Sequence, residues 1–262
     1  MKLAISGKGG VGKTTVAALL AQAYADRGMN VFAVDADPAP CLAGALGFPP
    51  ELRAQLHPIA KMEDLIYERT GAKPGTIGAF FTLNPRVDDI PERFSVIHRG
   101  VRLLEMGAVD TGGTGCICPE SALLKTLFTH LLFRKDDILI LDMYAGVEHL
   151  GRATVDFVDA MLIVSEPTRR SLATAAQIKS LANDIGLNRL WLVGNKVRNE
   201  DEAAFLRAES PGLPILSILP ADLAVQEADR LGIPVYDHVR SLREVAQQMA
   251  QELETIILRG EE

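Results

Sequence analysis

Cysteine is scarce in this chain of 262 residues: there are three, Cys41, Cys116 and Cys118. That number is too small, and odd, for a disulfide framework, so in a reducing compartment the set is metal-binding, catalytic or merely buried. Long apolar runs are missing as well, since none approaches the roughly 18 residues that cross a bilayer. The opening MKLAISGKGG turns to glycine at Gly7, too early for a secretory apolar segment. Basic charge is not in excess: 27 Lys and Arg against 34 Asp and Glu leave a net charge of −7, which makes nucleic acid a poor partner. Repeats and low-complexity segments are also lacking. A soluble, cytoplasmic protein that engages neither membrane nor nucleic acid is expected.

What the chain does have is an ordinary globular composition, 48% hydrophobic and 23% charged, and enough length to bury a sizeable core. Short continuous apolar runs, bounded by glycine or acidic residues, predict buried strands at 2–6, 31–35, 101–107, 138–142, 160–166, 190–196 and 215–220. Between them, helical stretches are expected at 13–27, 120–133, 168–185, 200–208, 222–231 and 241–258. Continuously apolar strands alternating with helices indicate an α/β fold: a doubly wound, mostly parallel sheet with helices on both faces. Residues 1–262 are read as a single domain, with an irregular insertion at about 38–100. Proline and glycine punctuate that insertion, and only 62–69 reads firmly as helix.

The strongest local signal is the run Gly7-Lys8-Gly9-Gly10-Val11-Gly12-Lys13-Thr14-Thr15, set between a predicted strand and a predicted helix. Glycines there let backbone N–H groups curl around phosphate oxygens, and the helix N-terminus adds positive potential. Lys13 is placed to neutralise the β- and γ-phosphates, and the Thr14 hydroxyl to ligate Mg²⁺. Lys8 is a second lysine in a loop that needs one for its own nucleotide, so it is free to reach a phosphate across an interface. Further carboxylates fall at strand ends, Asp35 closing 31–35 with Asp37 just beyond it, and Asp142 closing 138–142. The C-terminal ends of parallel strands face the ligand crevice of such sheets. Asn195, ending another strand, offers the donor and acceptor that match an adenine edge, with the strand end Ile218-Leu219-Pro220 placed to flank the ring. No guanine signature follows Lys196, which favours ATP over GTP.

Cys116-Ile117-Cys118 lies just before the predicted helix 120–133. Two thiolates do not complete a tetrahedral site, but two copies brought together by a two-fold axis supply four. Spacing alone allows zinc as readily as nickel. Cys41 has no neighbour in sequence and is expected to be buried. His57, His98, His130 and His238 are scattered and carry no assigned role.

The loop with its early lysine resembles the deviant P-loop ATPases, the group of MinD, the nitrogenase iron protein and the arsenite-transport ATPase. The segments GKGGVGKTT, AVDADPAPCLA, LNPRVDDIPE, GCICPE and DMYAGVEHLGR narrow the resemblance to the CooC-type nickel-insertion ATPases of carbon monoxide dehydrogenase. That resemblance implies an ATP-dependent homodimer in which Lys8 acts on the partner's nucleotide. It makes Asp37 the water-orienting group of a first switch and Asp142 the metal-sensing residue of a second. It also implies a metal, nickel or zinc, held by the Cys116 and Cys118 pairs of two subunits, and an apo carbon monoxide dehydrogenase as client. Glu148 and His149 match a Glu-His pair of the family without an assigned chemistry. Other classes weighed against it are an iron–sulfur electron-transfer protein like the nitrogenase iron protein, a nickel-insertion factor for acetyl-CoA synthase, and a MinD- or ParA-like positioning ATPase. The first of these takes its four ligands from two widely spaced cysteines per subunit, unlike this C-x-C. The last, where it binds membranes, needs a basic amphipathic tail, and QELETIILRGEE is acidic.

Overall fold

The computed structural model describes residues 1–76, 80–107, 118–133, 138–144 and 157–259. In chain order the elements are β1 (Lys2–Gly7), α1 (Lys13–Asp26), β2 (Val31–Ala36), α2 (Leu42–Ala45), α3 (Pro50–Arg53), a 3-10 turn (Ile59–Lys61), α4 (Glu63–Thr70), α5 (Ile90–Phe94), β3 (Val96–His98) and β4 (Val101–Glu105). They continue as α6 (Pro119–Phe133), β5 (Ile138–Met143), β6 (Ala160–Ser165), α7 (Arg169–Ile185), β7 (Leu190–Val197), α8 (Glu200–Glu209), β8 (Ile215–Pro220), α9 (Ala224–Leu231), α10 (Val235–His238) and α11 (Arg240–Arg259).

One sheet runs in the order β3-β4-β2-β5-β1-β6-β7-β8. All neighbouring pairs are parallel except β3 with β4. Strands β2, β5 and β6 are buried at every position, as strands covered on both faces must be. Each predicted strand appears within two residues of its expected bounds. Strand β3 was hidden inside the expected insertion. Its hairpin turns on Arg99 and Gly100, both at positive φ (50° and 78°), a mirror-image turn written with an arginine where asparagine or aspartate usually announces it.

Helices cover both faces, and the insertion divides between them. Leu42, Leu46, Phe48 and Leu56 join the apolar layer of α1 and α11, whereas Ile59, Leu65, Ile66 and Ile90 join the layer of α6 and α7. The crossing lies beyond the C-terminal end of β4, where the Ala60 N–H donates to the Met106 carbonyl (3.0 Å). The segment therefore packs as two half-layers made of very short elements, which is why its periodicity was weak. Among the described residues, no helix is long and apolar enough to cross a membrane.

Strand order reverses around β1. Chain progress runs outward through β2 and β4 on one side and through β6, β7 and β8 on the other. Ligand crevices of open α/β sheets form at such a reversal, above the C-terminal strand ends.

Candidate nucleotide site

The loop from Gly7 to Thr15 leaves the end of β1 at that reversal. Gly12 holds φ 97°, and a Cβ there would meet the Asn195 Nδ2 at 2.3 Å, so only glycine closes the turn into α1. No side chain caps α1, and its first turn carries no acidic residue. Its first N–H groups are thus left for an anion, and the helix dipole favours one there. Lys13 is only 7% exposed and lowers the pKa of nearby Asp142 by its charge. Lys8 sits on the exposed outer lip, with Gly9 and Gly10.

Asp142, 1% exposed, accepts the Thr14 hydroxyl proton through Oδ2 at 2.6 Å, while its Oδ1 has no hydrogen-bond partner. Burial, reinforced by the charge of Asp35, pushes its pKa up to about 7, against the opposing effect of the Thr14 bond. A buried, unpaired carboxylate oxygen costs free energy unless a cation or its water completes it. A hydroxyl beside a carboxylate with a free oxygen is a hard-oxygen donor set, so Thr14 and Asp142 would fit a Mg²⁺ ion.

Asp35 behaves differently. It is fully buried, and its carboxylate accepts the backbone N–H groups of Asp37 (3.1 Å), Cys41 (2.9 Å) and Leu42 (2.8 Å). Burial raises its pKa, and those three bonds oppose the rise. Its role is to cap the loop that leads into α2. Asp37, half-exposed, sits within that loop and accepts the Ala39 N–H at 2.9 Å. Cys41 is exposed, contrary to the expectation of burial: the bond from its own N–H to Asp35 anchors the backbone and leaves the thiol on the rim, donating to the Ala39 carbonyl at 3.2 Å.

Beside the loop lies a cavity of about 480 Å³ whose walls include Thr15, Asn195, Arg198, Pro220, Leu223 and Gln226. Asn195 and Pro220 thus both line a space suited to a base and ribose. Asn195, 6% exposed, also braces the loop: its Nδ2 donates to the Val11 carbonyl at 2.8 Å, and its Oδ1 accepts the Lys196 N–H at 2.9 Å. Lys196 and Glu166 were not singled out in the sequence. The Lys196 ammonium donates to the Gly10 carbonyl at 2.6 Å and pairs with Glu166 at 2.7 Å. The signal was available for Glu166, which ends the predicted strand 160–166 as Asp142 ends 138–142.

Residues 2–235 match the CbiA family, the CobQ/CobB/MinD/ParA nucleotide binding domain. The chain belongs to that family. Within it the chain is of the CooC type, a deviant P-loop ATPase: it is 47% identical to the carbon monoxide dehydrogenase accessory protein CooC of Rhodospirillum rubrum, over 94% of this chain and 93% of that protein. It is also 46% identical to an uncharacterised ATP-binding protein of Methanocaldococcus jannaschii, over 94% of this chain and 95% of that one. The fold matches the MinD cell division protein of Aquifex aeolicus, with a TM-score of 0.67 at 20% identity, covering 97% and 96% of the two chains.

Of the cysteine pair in this CooC-type chain, Cys118 is described, and Cys116 lies outside the described residues, as do Glu148 and His149. Cys118 stands immediately before α6, where its carbonyl accepts the Ala122 N–H at 3.0 Å. Its thiol is half-buried, free of any disulfide, and donates to the Ser121 hydroxyl at 3.0 Å. Since α6 returns the chain from β4 to β5, which run in the same direction, its N-terminus lies at the C-terminal end of the sheet. Cys118 and the phosphate loop therefore share one end of the molecule. Among the described residues no cluster of three or more His, Cys, Asp or Glu forms a metal site within one chain.

Proposed function

We propose that this chain is a single-domain, ATP-hydrolysing metallochaperone of the cytoplasm. It dimerises with ATP, binds nickel as cargo through the Cys116 and Cys118 pairs of two subunits, and supports maturation of the carbon monoxide dehydrogenase nickel cluster. The observation that carries this reading is kinship along nearly the whole chain with an accessory protein of that enzyme. Support comes from Cys118 opening α6 at the end of the sheet that holds the phosphate loop.

In this reading ATP lies with its phosphates in the loop Gly7–Thr15 and its adenine in the cavity of Asn195 and Pro220. Lys13 offsets phosphate charge from below. Thr14 and Asp142 hold Mg²⁺, which supplies charge neutralisation at the transferring phosphoryl group. Asp37 orients the attacking water, and Lys8 of each subunit completes the other's site, so hydrolysis waits for closure. Closure aligns four thiolates at the two-fold axis, two from each subunit, enough for a closed N/S-type metal site. ATP drives this only through tighter binding to the closed state. Hydrolysis and opening then alter the thiolate geometry and release the metal.

The test is maturation itself. A Cys116→Ser, Cys118→Ser double variant should bind ATP like the parent yet leave co-expressed carbon monoxide dehydrogenase without activity. Normal maturation by that variant contradicts the proposal. An iron–sulfur absorption band in the anaerobically purified parent would favour the electron-transfer class instead.

A further inference from the structure

Strand β7 pairs with β8 so that Gly194 faces Ile218 and Val197 faces Pro220, three residue steps against two. The extra residue makes a bulge, a device that re-aims side chains beside active sites. Within it Lys196 takes φ 59°, a left-handed conformation that side-chain-bearing residues seldom adopt and that persists where surroundings impose it. The surroundings here are specific. The Lys196 ammonium binds the Gly10 carbonyl (2.6 Å) and the Glu166 carboxylate (2.7 Å). Glu166 is fixed in turn, its N–H donating to the Ser171 hydroxyl at 3.1 Å, which also accepts from Ser165 at 2.9 Å.

Consecutive side chains of the bulge thus grip consecutive carbonyls of the phosphate loop: Lys196 holds Gly10, and Asn195 holds Val11 (2.8 Å). In a trans peptide the C=O and the following N–H point in opposite directions. Turning these two carbonyls toward β7 turns the N–H groups of Val11 and Gly12 away from it, the Val11 N–H making only a long bond to the Lys8 carbonyl (3.4 Å), and keeps the Gly10 and Val11 oxygens out of a cradle meant for anions.

We infer that Lys196, set by the β7 bulge and by Glu166, is a positioning residue that fixes the Gly10 and Val11 peptide planes for binding a nucleotide's β-phosphate. This rests on the ATP-binding reading above. AMP lacks a β-phosphate, so the device should act on ADP and ATP and leave AMP alone.

The experiment is calorimetric titration of the full chain with AMP, ADP and ATP in the presence of Mg²⁺. Lys196→Met should weaken ADP and ATP about tenfold while AMP stays within about twofold, and Lys196→Arg should restore most of the loss. Glu166→Gln should show a smaller loss of the same kind, and adding it to Lys196→Met should cost nothing further, the mark of two residues acting in series. Lys196→Gly separates positioning from folding: it relieves the left-handed strain, so its melting temperature should hold or rise while ADP binding weakens. Unchanged ADP and ATP affinity in Lys196→Met would overturn the inference. So would an equal loss for AMP, which would make Lys196 a wall of the base cavity only. A parent protein that bound none of the three would overturn the ATP reading and this inference with it.

Discussion

The ends of β2 and β5 lie side by side, with Asp35 directly opposite Asp142 in the pairing register. Both are buried at the end of a parallel strand, and burial raises the pKa of both. The two regions nevertheless do different work. Around Asp35 the loop turns back and supplies three N–H donors, so the carboxylate is saturated by its own chain. Around Asp142 only the Thr14 hydroxyl arrives, and one oxygen stays unpaired. Position at a strand end places a carboxylate in the crevice; the count of donors around it decides whether it holds the fold or waits for a ligand.

That contrast breaks most visibly through stability. Asp35→Ala strands three backbone N–H groups and should cost about 3 kcal/mol or more in urea unfolding, at roughly 1 kcal/mol or more each. Asp35→Asn should lose less, since the amide oxygen still accepts. Asp142→Asn should unfold no more easily than the parent, because it removes a buried charge and keeps an acceptor for Thr14. Its loss should appear in turnover instead, about 100-fold in ATP hydrolysis, the scale of removing a group that organises the transition state. If Asp35→Ala and Asp142→Asn lowered stability equally, the distinction would collapse.

A smaller effect appears in the pH dependence of stability. The folded-state pKa of Asp142 is raised to about 7, so the folded protein keeps a proton that the unfolded chain releases near pH 4. The stability this contributes is fully present below about pH 4 and declines as pH rises through about 7, with a slope of at most about 1.4 kcal/mol per pH unit. Asp35, also raised, adds in the same direction. Metal-free Asp142→Asn should flatten this slope while retaining the share due to Asp35. A slope identical to the parent's would place the titrating group elsewhere.

Much of this architecture is written locally. Runs such as ILILD and AMLIVS are continuous because strands buried on both faces need no polar side, so they were legible without a partner strand in view. The phosphate loop was legible because its glycines answer to backbone geometry, as at Gly12 beneath Asn195. Elements of three to five residues, α2, α3, α5 and β3, carry too few positions to set a period, and they take their order from the layers they join. The grip of Lys196 on Gly10 spans 186 residues and depends on a bulge visible only once β7 meets β8. Resemblance gave a metal-sensing role to Asp142 and not to Asp35, but strand-end position alone does not separate them: donors arriving from Cys41 and Leu42, or failing to arrive, are a property of the folded loop.

In the proposed function, nucleotide state and the cysteine pair are coupled through a dimer. The most direct measurement titrates metal-free protein with Ni²⁺ and Zn²⁺, with and without ATP, beside the Cys116→Ser, Cys118→Ser variant, reading mass on a sizing column in each state. The expected result is a dimer with ATP that binds one metal ion, lost in the variant and altered in affinity by nucleotide. Binding that is unchanged in the variant, or indifferent to ATP, would contradict the account.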